Sequence, residues 1–180
     1  MKHPFDDFSF SPGEAALLAR VYLASVKKES VTTLRVIGAI PADKCQYRPE
    51  PNSRSALELA WHLAYGDIWF LKGFLIGKFE MEEEEDSMPG DITSPQDITC
   101  CYQDAFALKL AKVSKLTPEF WASRLSFFGM FHDPAVLYLQ FMLNHSIHHR
   151  GQLCAYLRPM GGKVPNIYGG SFDEPMVEDC

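Results

Sequence analysis

Four times in this chain a Ser, Thr or Asp stands directly before a proline at the head of a segment with helical apolar spacing: Ser11-Pro12, Ser94-Pro95, Thr117-Pro118 and Asp133-Pro134. The first residue of each pair offers a side-chain oxygen to the unpaired N–H groups of a helix start, and the proline lacks the N–H that the first turn leaves without a partner. Glu14, three residues after Ser11, completes a capping box, and Ser55-Ala56-Leu57-Glu58 is a capping box without proline. These five starts predict four long helices, over residues 12–40, 56–77, 95–116 and 134–158, and a short one at 118–123. Pro41 ends the first, and Pro159 with Gly161-Gly162 ends the last.

Between the helices the chain reads as connection. Residues 41–54 hold three prolines. Residues 80–86 form an acidic run, Glu-Met-Glu-Glu-Glu-Glu-Asp, that reads as a solvated loop. Residues 124–131 are aromatic and apolar but short, consistent with either an extended connection or a helical turn. Residues 1–10 and 163–180 read as irregular termini of one domain. No alternating strand pattern recurs, so the fold class is all-α, a four-helix bundle.

Composition narrows the function. Among 180 residues 47% are apolar and 22% charged, and the net charge is −6 without any clustered basic stripe, which argues against a nucleic-acid binder. The N-terminus lacks the apolar core of a signal peptide, and the greasy stretch 61–79 carries Asp67 and Lys72, which suits a buried helix better than a membrane span. Five irregularly spaced cysteines give neither a disulfide framework nor a zinc ribbon; reduced thiols in the cytoplasm are the plain expectation.

Chemistry concentrates in the histidines. The run Asn144-His145-Ser146-Ile147-His148-His149-Arg150-Gly151-Gln152 lies in the last long helix, where residues three or four apart share a face. His145 can therefore pair with His149 or with His148. His62, set among Leu59-Ala60-Trp61 and Leu63-Ala64-Tyr65, is the candidate third member from the second helix. Three neutral imidazoles suit Zn, Ni or Fe and leave a position for water or substrate. Against this stands the plainer possibility that the histidines pack as a polar seam. His132 is expected at the surface or as a cap, and His3 in the terminus.

The neighbours divide in the same way. Glu58 is expected as a capping residue more than as an acceptor orienting His62, and Gly151 as a point of close helix packing. Arg150 and Gln152 are expected to hydrogen-bond across that contact more than to reach a ligand. Trp61, Trp69, Phe70 and Phe74 read as core, with Tyr65 and Trp69 able to line a pocket on the His62 face. Cys154 points away from His149.

The segments Ser55-Ala56-Leu57-Glu58-Leu59-Ala60-Trp61-His62 and Asn144-His145-Ser146-Ile147-His148-His149-Arg150-Gly151-Gln152, with Tyr47-Arg48-Pro49 and Pro165-Asn166-Ile167-Tyr168-Gly169, resemble the DinB/YfiT-like metalloenzyme superfamily over nearly the whole chain. The resemblance implies an up-down-down-up four-helix bundle, commonly a homodimer, whose metal is held by His62, His145 and His149. It implies a thiol-dependent S-transferase or isomerase activity in some relatives, using a low-molecular-weight thiol and a small-molecule substrate. A metal-dependent transferase or hydrolase is thus the first functional expectation. A non-catalytic stress-response or binding module with a structural metal site is the second. No sequence signal names a general base.

Overall fold

In the computed structural model, which describes residues 8–80 and 87–176, the capping signals carry out their local work. Helix α1 spans Pro12–Gly38, with the Ser11 N–H donating to Glu14 Oε2 at 2.8 Å and the Glu14 N–H returning to Ser11 Oγ. Helix α2 spans Ala56–Ile76 behind the reciprocal Ser55–Glu58 box and ends at Gly77, whose φ of 79° is the left-handed cap that glycine adopts without a Cβ penalty. Helix α3 spans Pro95–Val113, α4 spans Pro118–Ala122, and α5 spans Ala135–Leu157. The third helix stops at Val113, short of the expected 116, because Ser114 already closes the last turn.

One start differs from expectation. No side chain caps α5, whose N-cap is Pro134. Asp133 instead lies in an extended pair opposite Leu125, and its N–H donates to Tyr138 Oη at 3.1 Å. The 124–131 segment, open between strand and helix in the sequence, is extended: β2 (Arg124–Phe127) pairs antiparallel with β3 (Phe131–Pro134), and β1 (Lys78–Phe79) adds to β2 in parallel. His132 is exposed on β3, and its carbonyl accepts from Arg124. The small sheet escapes periodicity because its strands are two and four residues long.

Helix α1 packs on α3, α4 and α5, and α2 packs on α3 and α5, so α1 and α2 sit diagonally. Directions follow from the pairs in contact. His62 meets His149 while Phe70 meets Phe141, which makes α2 antiparallel to α5. Arg150 meets Glu29, and the α1 and α5 C-termini converge at Gly162, which makes α1 parallel to α5. Asp67 bonds Tyr102 while Phe74 packs on Trp121 beyond the end of α3, which makes α3 run with α2. The bundle is up-down-down-up. Its two parallel neighbours, α2 and α3, are joined through residues 77–94, which include β1.

The core runs through Ile37, Leu59, Leu63, Leu71, Phe74, Phe79, Ile98, Leu139 and Leu157, each fully buried. Trp61, Trp69, Phe70 and Phe74 are buried as expected. Among the described residues no helix is long and apolar enough to cross a membrane. The residues of the acidic run from 81 to 86, His3 and Cys180 lie outside the described residues.

Candidate metal centre

The antiparallel pairing of α2 with α5 brings His62, His145 and His149 to one level of the bundle. One ring nitrogen of each lies within 4.8 Å of the other two, and among the described residues this is the one such group of metal-ligating side chains. Ring centroids are 4.5 Å apart for His145–His149, 4.6 Å for His62–His149 and 5.1 Å for His62–His145. His148 is exposed, meets His149 edge-on at 4.8 Å and does not join the group.

The donor set fits a transition ion. His62 Nε2 and His149 Nε2 are 3.3 Å apart, close to the ~3.3 Å that separates two nitrogens each ~2.05 Å from a tetrahedral ion. Burial, aided by the positive charge of His149, His62, His148 and Arg54, holds His145 down at about 3, and burial first of all lowers His149 as well. Both therefore present neutral lone pairs at neutral pH, the form that binds metal. His145 Nδ1 is buried without a hydrogen-bond partner, so the ring's polar capacity is not spent within the protein. Three imidazoles suit zinc, nickel or iron and do not suit the oxygen-seeking calcium or magnesium.

Several residues position these rings. His149 Nδ1 meets Gln152 Oε1 at 3.1 Å, one helical turn on, so Gln152 fixes the tautomer that leaves Nε2 for a ligand. Gly66 faces His145: a Cβ there would lie 2.7 Å from the ring's Cε1. Gly151, expected as the close-packing glycine, is exposed with nothing within 4 Å of a Cβ; it stands on the outer side of α5, and the tight approaches occur at Gly66 and Gly73 on α2. Glu58 caps α2, as expected, and accepts from Arg48 at 2.8 Å. Cys154 lies outside the cluster, its thiol pushed up by burial.

Beneath the histidines lies a polar layer whose functional reading the sequence missed. Asp67 on α2 is buried and accepts from Tyr102 Oη of α3 at 2.6 Å and from Ser146 Oγ of α5. Burial pushes its carboxyl up to about 6, opposed by those two bonds and by Arg150. Ser146 follows His145 directly, so this layer ties the backbone under the ring to two other helices. Arg150, 1% exposed, donates to Glu29 and to Tyr168 Oη, which joins α5, α1 and the C-terminal segment. Its structural role stands. The signal in the sequence is a lone aspartate in an apolar run, which by itself argues only against a membrane span.

Beside the cluster, a cavity of about 170 Å³ is lined by His62 and His145 at one end and by Tyr65, Trp69, Phe70, Phe127, Phe128 and Phe141. Tyr65 and Trp69 thus line a pocket, as their place on the His62 face suggested.

An up-down-down-up bundle with inward imidazoles contributed by antiparallel second and last helices defines a class of histidine-bearing helical proteins. The chain belongs to the DinB family, whose model matches residues 14–179. It is 26% identical over 154 residues to the uncharacterized protein YrdA of Bacillus subtilis, covering 85% of this chain and 89% of that one. A DinB-like protein from Bacillus cereus ATCC 10987 superposes with a TM-score of 0.67 at 27% identity, covering 82% of this chain and 95% of that one. YjoA, a DinB-like protein from Bacillus subtilis, shares the fold with a TM-score of 0.63 at 21% identity, over 84% and 97% of the two chains.

Proposed function

We propose that this protein is a metal-dependent enzyme that holds a divalent transition ion on His62, His145 and His149, with thiol-dependent group transfer as its reaction class and hydrolysis as the alternative chemistry at the same site. The observation that carries this reading is the convergence of three ring nitrogens within 4.8 Å at the end of an open aromatic cavity. Three protein ligands with His148 turned outward leave a coordination position for an exogenous group, which is the arrangement of a catalytic rather than a structural site.

When bound, the ion would lower the pKa of a coordinated thiol or water and so supply a nucleophile near neutral pH. The chain's own groups bind and orient. His62 and His149 set the donor spacing, Gln152 holds the His149 tautomer, and Gly66 admits the His145 ring. The aromatic walls shape the space beside the histidines. No carboxylate joins the histidine group among the described residues, and Asp67 is bonded in the layer below. This favours thiol transfer over hydrolysis, because a thiol made acidic by the ion needs no separate base.

Metal content tests the reading: elemental mass spectrometry on untagged protein purified without chelator, beside the His62→Ala, His145→Ala double variant. Near-stoichiometric zinc, nickel or iron in the wild type and its loss from a folded variant support the centre. No metal in either, after zinc, nickel and iron salts have been offered, removes the metalloenzyme reading.

A further inference from the structure

The cavity beside the histidines is built for a ligand of narrower chemistry than a metal centre alone requires. Six of its nine lining residues are Phe, Tyr or Trp, and two more are the imidazoles of His62 and His145. Trp69 and Phe128 lie nearly parallel, 14° apart with centroids at 5.6 Å, while Phe127 stands edge-on to Trp69 at 90° and Phe141 edge-on to Phe70 at 89°. Flat faces and ring edges in this arrangement offer both of the contacts that an aromatic guest prefers. The volume, about 170 Å³, is that of one small ring: an apolar engineered cavity of roughly 150 Å³ takes up benzene.

Two further features belong to a site rather than to leftover core space. Phe128 holds a φ of 54°, in the left-handed region that non-glycine residues rarely occupy. Its N–H is fixed to Phe79 O at 2.8 Å, and the residue stays 38% exposed while Phe141, also lining the cavity, stays 46% exposed. Large apolar rings kept partly in water around an opening are costly to maintain without an occupant. Charge selects among occupants. Aromatic faces also attract cations, but a divalent ion held by the histidines would repel a cationic guest. An anionic body set deep among phenyl rings would lose its hydration without a hydrogen-bonding partner.

We propose that this cavity is the subsite for an uncharged, flat aromatic group of the substrate, about one benzene ring in size, whose reacting end lies toward His62 and His145. The assignment rests on the metal-dependent reading for what that reacting end meets, while the subsite itself is formed by the protein alone.

Toluene is the probe, titrated into the full chain with and without zinc and followed by the indole N–H resonances in proton–nitrogen NMR. Saturable displacement of the Trp69 resonance, with Trp121 unmoved, is expected in both states. Phe128→Ala and Phe141→Ala, which alter exposed rings, should each weaken toluene by about fivefold, the scale of one aromatic pair, while Leu108→Ala on α3 leaves it unchanged. Tetramethylammonium at the same concentration should leave Trp69 where it is. No saturable shift, affinity unchanged from wild type in both phenylalanine variants, or binding of tetramethylammonium as tight as toluene overturns the subsite. Zinc stoichiometry measured on the same samples separates the two readings. Protein that takes one zinc and no toluene keeps its metal centre and loses the subsite. Protein that takes toluene and no zinc loses the metal centre, and with it the assignment to a metal-dependent substrate.

Discussion

The ring of His145 lies against the bare Cα of Gly66, so closely that a Cβ at that position would come within 2.7 Å of its Cε1. A ligand on α5 is thereby placed by the absence of a side chain on α2. Substituting Gly66→Ala sets two effects against each other: alanine favours a helix interior by about 1 kcal/mol, and the clash moves the imidazole. We expect zinc affinity to fall at least tenfold while the midpoint of urea unfolding changes little. Competition against a chromophoric chelator measures the first, and undiminished affinity would show that His145 is not a ligand.

Gln152 acts on the same centre through His149. Gln152→Ala removes the acceptor at 3.1 Å from Nδ1 and frees the tautomer. A loss of tenfold to a hundredfold in zinc affinity is expected on the scale of such orienting bonds, and Gln152→Glu should recover most of it by restoring an acceptor. Equal loss in both variants would assign Gln152 to packing.

Asp67 makes stability depend on pH in a defined window. Its carboxyl titrates near 6 in the fold against 3.8 as the ordinary value, so the folded state binds the extra proton between those limits. The stabilising effect of that proton is complete below about pH 4 and is lost as pH rises through about 6, a change on the order of 3 kcal/mol. Urea unfolding of wild type and Asp67→Asn across pH 4 to 7 reads the difference. The variant should lack this downward contribution, and a constant gap between the two curves would disprove it.

Arg150 is a buried cation held by Glu29 and Tyr168. Arg150→Ala leaves the Glu29 carboxylate facing an emptied site and should cost about 3–5 kcal/mol, whereas Tyr168→Phe, which removes one hydroxyl near the surface, should cost about 1 kcal/mol. Denaturant titration of the two variants checks the ordering.

The helices and the ligand candidates are legible in the residues alone. Ser-Pro and Thr-Pro starts act within one turn, through a side chain and the N–H groups three residues on, so their effect needs no distant partner. The spacing of His145 and His149 likewise follows from 3.6 residues per turn alone. The rest depends on contacts between elements remote in sequence. The pairing of α2 antiparallel to α5 turned three scattered histidines into one group and left His148 outside. It also made Gly66 rather than Gly151 the residue of close approach, since which face of a helix meets a neighbour is fixed by packing and not by the glycine. The β2–β3 hairpin, which supplies Phe127 and Phe128 to the cavity, is too short to carry a period. Asp67 became a buried partner of Ser146 and Tyr102 because helices distant in the chain brought two hydroxyls to it. Local hydrogen bonds write themselves into a sequence, whereas the burial and electrostatics that define this site arise only when the helices close on one another.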